Sequence, residues 1–257
     1  MDLALKDRVA LVAGSSRGIG KAIAEALLRE GCRVCITGRA LSSVQDTANQ
    51  LRSAYPDCSL MEAVGDFTSS PVIAEALAAI EGAWGGLDIV VANIGSGSGK
   101  QGCLQDESEW ERLFDLNLFA SVRLTQAAIP RMQARGGSIL FISSIVAVEA
   151  TPAPLPYSAA KAALINYAKN LSRQLAGYKI RVNCIAPGNI LFPGGSWDLY
   201  LQNRRESVED YIGREVPLKR FGTPEEIANF AAFLVSPLSN FATGSCFIID
   251  GGQTRTI

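Results

Sequence analysis

The chain contains no histidine. That absence removes the imidazole general base, the Ser-His-Asp hydrolase and the His-Glu-x-x-His zinc site, and leaves tyrosine chemistry as the coherent option. Excess charge is also lacking: 24 Lys and Arg against 25 Asp and Glu give a net charge of -1, with no long basic run. Without a basic face there is no electrostatic footprint for a nucleic-acid partner. No stretch of about 18 residues is both apolar and uncharged, and the first seven residues hold no signal-peptide core, so the expectation is a cytoplasmic protein with no membrane partner. Six cysteines are scattered, and Cys32-x-x-Cys35 is the only pair with redox or metal spacing. It straddles the start of a strand and has no second pair, so all six read as buried structural thiols and no metal is expected.

What is present is a chain of 257 residues, 48% hydrophobic, enough to bury one substantial core as a single domain. Strands are predicted near 8–13, 33–37, 59–64, 87–92, 137–143, 179–185 and 245–250, and helices near 18–30, 41–54, 70–82, 107–134, 157–176 and 224–235. Strands rich in Val, Ile and Leu that alternate with helices point to an α/β fold, a parallel sheet covered on both faces.

Three features carry chemistry. Tyr157 and Lys161 stand four apart at the start of a predicted helix, so both side chains leave one face. A phenol with a pKa near ~10 is a poor acid at neutral pH, and an ammonium beside it is expected to bring that value down. Gly14-Ser15-Ser16-Arg17-Gly18-Ile19-Gly20 lies between an apolar strand and a helix, where glycines let the backbone approach a pyrophosphate set against the helix amides. Gly137–Ser144 reads as a buried strand ending in two serines, and Ser144 precedes Tyr157 by thirteen residues. A strand-terminal serine of a parallel sheet would meet the first turn of the next helix there. Asn117 places an amide in an otherwise apolar helical stripe.

Taken with Asn93-Ile94-Gly95, Pro187-Gly188 and Asp250-Gly251-Gly252, these motifs make the chain resemble the short-chain dehydrogenase/reductase family from about residue 5 to 252. Arg220–Ala228 narrows the resemblance to the 3-oxoacyl-carrier-protein-reductase-like branch. The resemblance implies a single-domain Rossmann-type doubly wound sheet in strand order 3-2-1-4-5-6-7. It also implies a homotetramer or homodimer paired through the helices at 107–134 and 157–176.

The same resemblance implies that Tyr157 exchanges a proton with the substrate oxygen, Ser144 hydrogen-bonds that oxygen, Lys161 tunes the phenol and holds the nicotinamide ribose, and Asn117 keeps a relay water in line. Gly14, Ser16, Arg17, Gly18, Ile19 and Gly20 would cradle the dinucleotide. Asp66 and Phe67 would meet the adenine, Asn93 and Gly95 would flank the cofactor, and Pro187, Gly188 and Ile190 would face the nicotinamide. The second strand ends in Ile36-Thr37-Gly38-Arg39, with no acid to repel a 2'-phosphate and an arginine to accept one. Arg17, a cation at a helix N-terminus, adds to the case for NADP(H) over NAD(H).

The family commonly carries a threonine five residues after the proline of Pro-Gly; here Phe192 stands there. Three prolines shortly before Tyr157 (Pro152, Pro154, Pro156) stiffen the pocket wall and weaken the case for a carrier-protein substrate. Residues 192–211 read as a glycine-hinged lid. Ketone, 3-oxoacyl thioester and sugar-like substrates all stay open. So do an NAD-dependent dehydrogenase of the same fold and a catalytically idle nucleotide sensor or scaffold.

Overall fold

In the computed structural model, which describes residues 2–255, seven strands form one all-parallel sheet in the order β3-β2-β1-β4-β5-β6-β7. The strands are β1 (Val9–Ala13), β2 (Arg33–Gly38), β3 (Leu60–Val64), β4 (Ile89–Ala92), β5 (Gly137–Ile142), β6 (Ile180–Pro187) and β7 (Cys246–Ile249). Residues of β1 alternate between two cores: Ala10 and Val12 face one cluster, Val9, Leu11 and Ala13 the other. A strand buried on both faces must be apolar at every position, which is why the central strands read as continuous hydrophobic runs.

The first face is covered by α1 (Gly18–Arg29), α2 (Leu41–Ala54) and α8 (Pro224–Val235), the second by α3 (Ser70–Trp84), α5 (Ala120–Met132) and α6 (Leu155–Leu175). Local signals set several helix ends. In α8, the Thr223 side chain accepts the Glu226 amide while Glu226 accepts the Thr223 amide, a capping box with Pro224 at the first position. Helix α3 stops at Gly85, whose left-handed backbone returns its N–H to Glu81.

Three expectations need correction. The helix predicted over 107–134 is broken into α4 (Glu107–Phe114), a π-helical turn (Asp115–Phe119) and α5. The Asn117 amide donates to the Leu113 carbonyl at 3.0 Å, so a side chain takes an acceptor of the helix ladder at the point where the winding widens. Second, a twenty-residue helix outside every predicted one, α7 (Ser196–Glu215), follows β6 and is kinked at Arg204 (φ -148, ψ 46). Third, Cys103 is exposed and Cys58 and Cys246 are only partly buried. Cys32, Cys35 and Cys184 are buried, and burial pushes the thiols of Cys32 and Cys35 up to about 12. Among the described residues no group of acidic, Cys or His side chains has metal-holding geometry, and no helix is long and apolar enough to cross a membrane.

Candidate active site

The glycine turn joins β1 to α1 in a backbone shape open to few other residues. Gly14 (φ +66) and Gly18 (φ +55) lie in the left-handed region, and a Cβ on Gly20 would stand 2.3 Å from the Gly14 carbonyl oxygen. Neighbouring strands pin the turn. The Thr37 hydroxyl accepts the Gly14 amide at 2.9 Å, and the Ser15 hydroxyl accepts the Thr37 amide while donating to the Val12 carbonyl. Asn93, just past β4, donates to the Gly14 carbonyl at 2.9 Å. Ser15 and Thr37 were not singled out in the sequence; a lone threonine inside the apolar run of β2 was the available signal.

Helix α1 begins at this turn with no side-chain cap and no acid in its first turn. Uncapped amides beside a side-chain-free backbone fit a diphosphate. Ser16 and Arg39 flank the turn: a Cβ on Gly38 would lie 2.9 Å from the Ser16 Cβ, and the exposed Arg39 is the next residue. Arg17 donates through one nitrogen to the Gly194 carbonyl at 2.8 Å.

At the carboxyl end of β5, the two serines diverge. Ser143 is buried and donates to the Lys161 carbonyl at 3.0 Å, whereas the Ser144 hydroxyl accepts the Val146 amide at 3.4 Å and lies beside the Tyr157 phenol. Lys161 is buried and its Nζ donates to the Ile142 carbonyl at 2.9 Å. A loop after β4 unites the rest. A Cβ on Gly95 would stand 3.0 Å from the Lys161 Nζ and 2.6 Å from the Asn117 Oδ1, and one on Gly97 would lie 3.4 Å from the Tyr157 ring. Asn117 is fully buried and holds this loop, accepting the Ser96 amide at 2.9 Å and donating to the Ser96 carbonyl at 3.1 Å.

Burial shifts both ionisable groups. Burial pushes the Tyr157 phenol above its usual value, opposed only by the Ser144 hydroxyl beside it, while desolvation pulls Lys161 down to about 8. Helical spacing puts both residues on one face, and one N–H of the ammonium goes to the carbonyl at the end of β5.

The remaining predicted contacts lie in the first turn of α1 and past the carboxyl ends of β3 and β6. Asp66 forms an Asx turn, accepting the Thr68 amide at 3.0 Å and hydroxyl at 2.9 Å. The Phe67 and Ile190 side chains are buried, and Ile19 packs half-buried against the core. Pro187 ends β6, and the Gly188 amide donates to the Ile249 carbonyl at 2.9 Å. Near the C-terminal end of α7, a cavity of about 230 Å³ is lined by Glu149, Thr151, Tyr211, Gln253 and Arg255 among others.

A family model described as enoyl-(acyl carrier protein) reductase matches residues 13–254. The chain belongs to the short-chain dehydrogenase/reductase family. It is 34% identical to the 3-oxoacyl-[acyl-carrier-protein] reductase of Aquifex aeolicus, over 98% of this chain and 100% of that one. Cyclohexanol dehydrogenase of a Rhodococcus species is 34% identical, over 98% of each chain. L-sorbose reductase from Gluconobacter frateurii, solved with NADPH and L-sorbose, superposes with a TM-score of 0.93 at 33% identity, over 100% of both chains. The protein is thus an oxidoreductase acting on CH-OH or carbonyl groups, and its glycine turn fits a nicotinamide dinucleotide.

Proposed function

We propose that the protein is a cytoplasmic NADP(H)-dependent reductase of a small-molecule carbonyl, or in reverse a dehydrogenase of the secondary alcohol. The observation that carries this reading is the convergence of the Ser144 hydroxyl at the end of β5 and the Tyr157 phenol in the first turn of α6, with Lys161 buried one turn further along that helix. A reduced nicotinamide, when bound, supplies the hydride. Tyr157 donates its phenolic proton to the substrate oxygen as charge develops there, and Ser144 gives that oxygen a second, preorganised donor.

The Lys161 ammonium has three donors and spends one on the Ile142 carbonyl, leaving two for a ribose hydroxyl and a proton-relay water. Asn117 fixes the loop that walls this ammonium. Arg39, with no acid at the end of β2, favours the 2'-phosphate of NADP(H), and Ser16 lies next to it. An idle sensor would not need the Ser, Asn, Tyr and Lys set, and the chain retains all four.

A polar substrate of the keto-sugar kind is favoured over an acyl thioester. The superposed L-sorbose reductase, 33% identical over the whole of both chains, was solved with its keto-sugar and NADPH. Exposed Trp110, Phe119 and Leu155 on the α4-to-α6 surface support a homodimer or homotetramer. The deciding experiment follows NADPH oxidation by the purified protein across ketones, 3-oxoacyl thioesters and keto-sugars. Turnover of a carbonyl with NADPH preferred over NADH is expected; no turnover of any class would reject the reading.

A further inference from the structure

Phe192 stands five residues after Pro187, and its ring packs on the dinucleotide turn. A Cβ on Gly18 would lie 2.8 Å from both the Cε2 and Cζ of Phe192, and one on Gly195 would lie 2.9 Å from the same Cζ. The ring is therefore wedged between a glycine of the turn and a glycine of the lid. A second tie runs beside it, where the Arg17 Nη1 donates to the Gly194 carbonyl at 2.8 Å. The lid side is braced in turn: the Asp198 carboxylate, in the first turn of α7, accepts the Gly194 amide at 2.8 Å, and the Gly195 amide donates to the Phe192 carbonyl at 3.0 Å.

From these contacts we infer that Phe192 and Arg17 latch the lid onto the glycine turn, and that Phe192 governs how readily a pyridine dinucleotide enters. This rests on the functional reading above. The missing side chain of the turn's second glycine is what allows a pyrophosphate to approach the backbone, and the Phe192 ring covers that face of Gly18. Ring and diphosphate thus need the same surface. Dinucleotide binding must move Phe192, and because Phe192 and Gly194 are tied through Gly195 and Asp198 to the start of α7, it must also shift the lid. Phe192 is in this sense a positioning residue, coupling the cofactor turn to the wall of the substrate pocket.

Stopped-flow mixing with NADPH, read by tryptophan fluorescence, tests the latch in the full-length chain. Phe192→Ala is expected to raise the association rate constant about fivefold or more and to tighten binding, with a fall in the KM for NADPH larger than any change in kcat. Phe192→Leu, which keeps apolar bulk and protects against a failure of the alanine variant to fold, is expected to give a rise of about twofold. If both variants associate at the wild-type rate, or bind NADPH more weakly, the latch is wrong while the functional reading stands. A wild-type protein that binds no pyridine dinucleotide would overturn both.

Discussion

Gly95 and Asn117 are packed so closely that a Cβ on Gly95 would stand 2.6 Å from the amide oxygen of Asn117. Gly95 also has φ +157, at the edge of the region that side chains rarely adopt. Gly95→Ala therefore has to displace Asn117 or the 95–97 loop, and either movement disturbs the pocket that holds the Lys161 ammonium. The expected result is a fall of at least about tenfold in kcat with a stability loss of about 1–3 kcal/mol, the range for overpacking and local backbone strain. Steady-state kinetics and thermal melts check both. An alanine variant with wild-type kcat would show that the approach has no bearing on catalysis.

Tyr157→Phe removes the proposed acid and keeps the ring that backs onto Gly97. Proton transfer by a positioned side chain contributes about 10²- to 10⁴-fold, so kcat is expected to drop by that factor while the Kd for NADPH stays within about twofold. Ser144→Ala should cost about 10²-fold, and the double variant little more than Tyr157→Phe alone, because the two hydroxyls act on one oxygen. Fully additive losses would mean that the residues act separately.

Arg39 is exposed, so its contact with a 2'-phosphate is screened by solvent and salt. A charge-assisted hydrogen bond in that setting is worth about 1–2 kcal/mol, which is roughly tenfold in affinity. Arg39→Ala should weaken NADPH by about that factor and leave NADH nearly unchanged, with a smaller difference at high salt. Titration of both nucleotides at two ionic strengths makes the comparison, and equal losses for the two would remove Arg39 from the phosphate.

The order of strands and the two-faced core were legible because buried parallel strands leave long apolar runs that alternate with helical periodicity. The Tyr157, Lys161 and Ser144 spacing was legible for a similar reason, since helix pitch and strand ends convert sequence distance into direction. Three features were not. The break at Asp115–Phe119 depends on the Asn117 amide reaching a loop carbonyl twenty-one residues away, as well as the one four residues back. The Thr37 and Ser15 bracing of the glycine turn joins two strands whose register periodicity does not reveal. The bond from the Lys161 Nζ to the Ile142 carbonyl was the third, because a position on a helix face does not specify which acceptor a four-carbon stem will find.

The depressed Lys161 value makes stability depend on pH in a definite sense. Desolvation lowers its pKa from 10.5 to about 8 in the folded protein, with only the nearby Cys184 thiol working the other way. Between those values the unfolded chain holds a proton that the folded chain has released, so stability rises with pH across the window. Below pH 8 both states are protonated and the burial penalty is present in full, on the order of 3 kcal/mol as an upper bound. Lys161→Met removes that titration, although it also leaves the Ile142 carbonyl without the Nζ donor, which shifts the whole curve by a constant amount. The melting temperature of the methionine variant relative to wild type should therefore be flat up to about pH 8, then fall steadily toward pH 10.5, whatever its sign at neutral pH. Paired melts at pH 7, 9 and 10 measure this difference directly, and thiol and surface ionisations common to both proteins cancel in it. A difference independent of pH would mean that the ammonium is not desolvated, and carbonyl reduction would then not show the loss of rate above about pH 8 that the same ionisation demands.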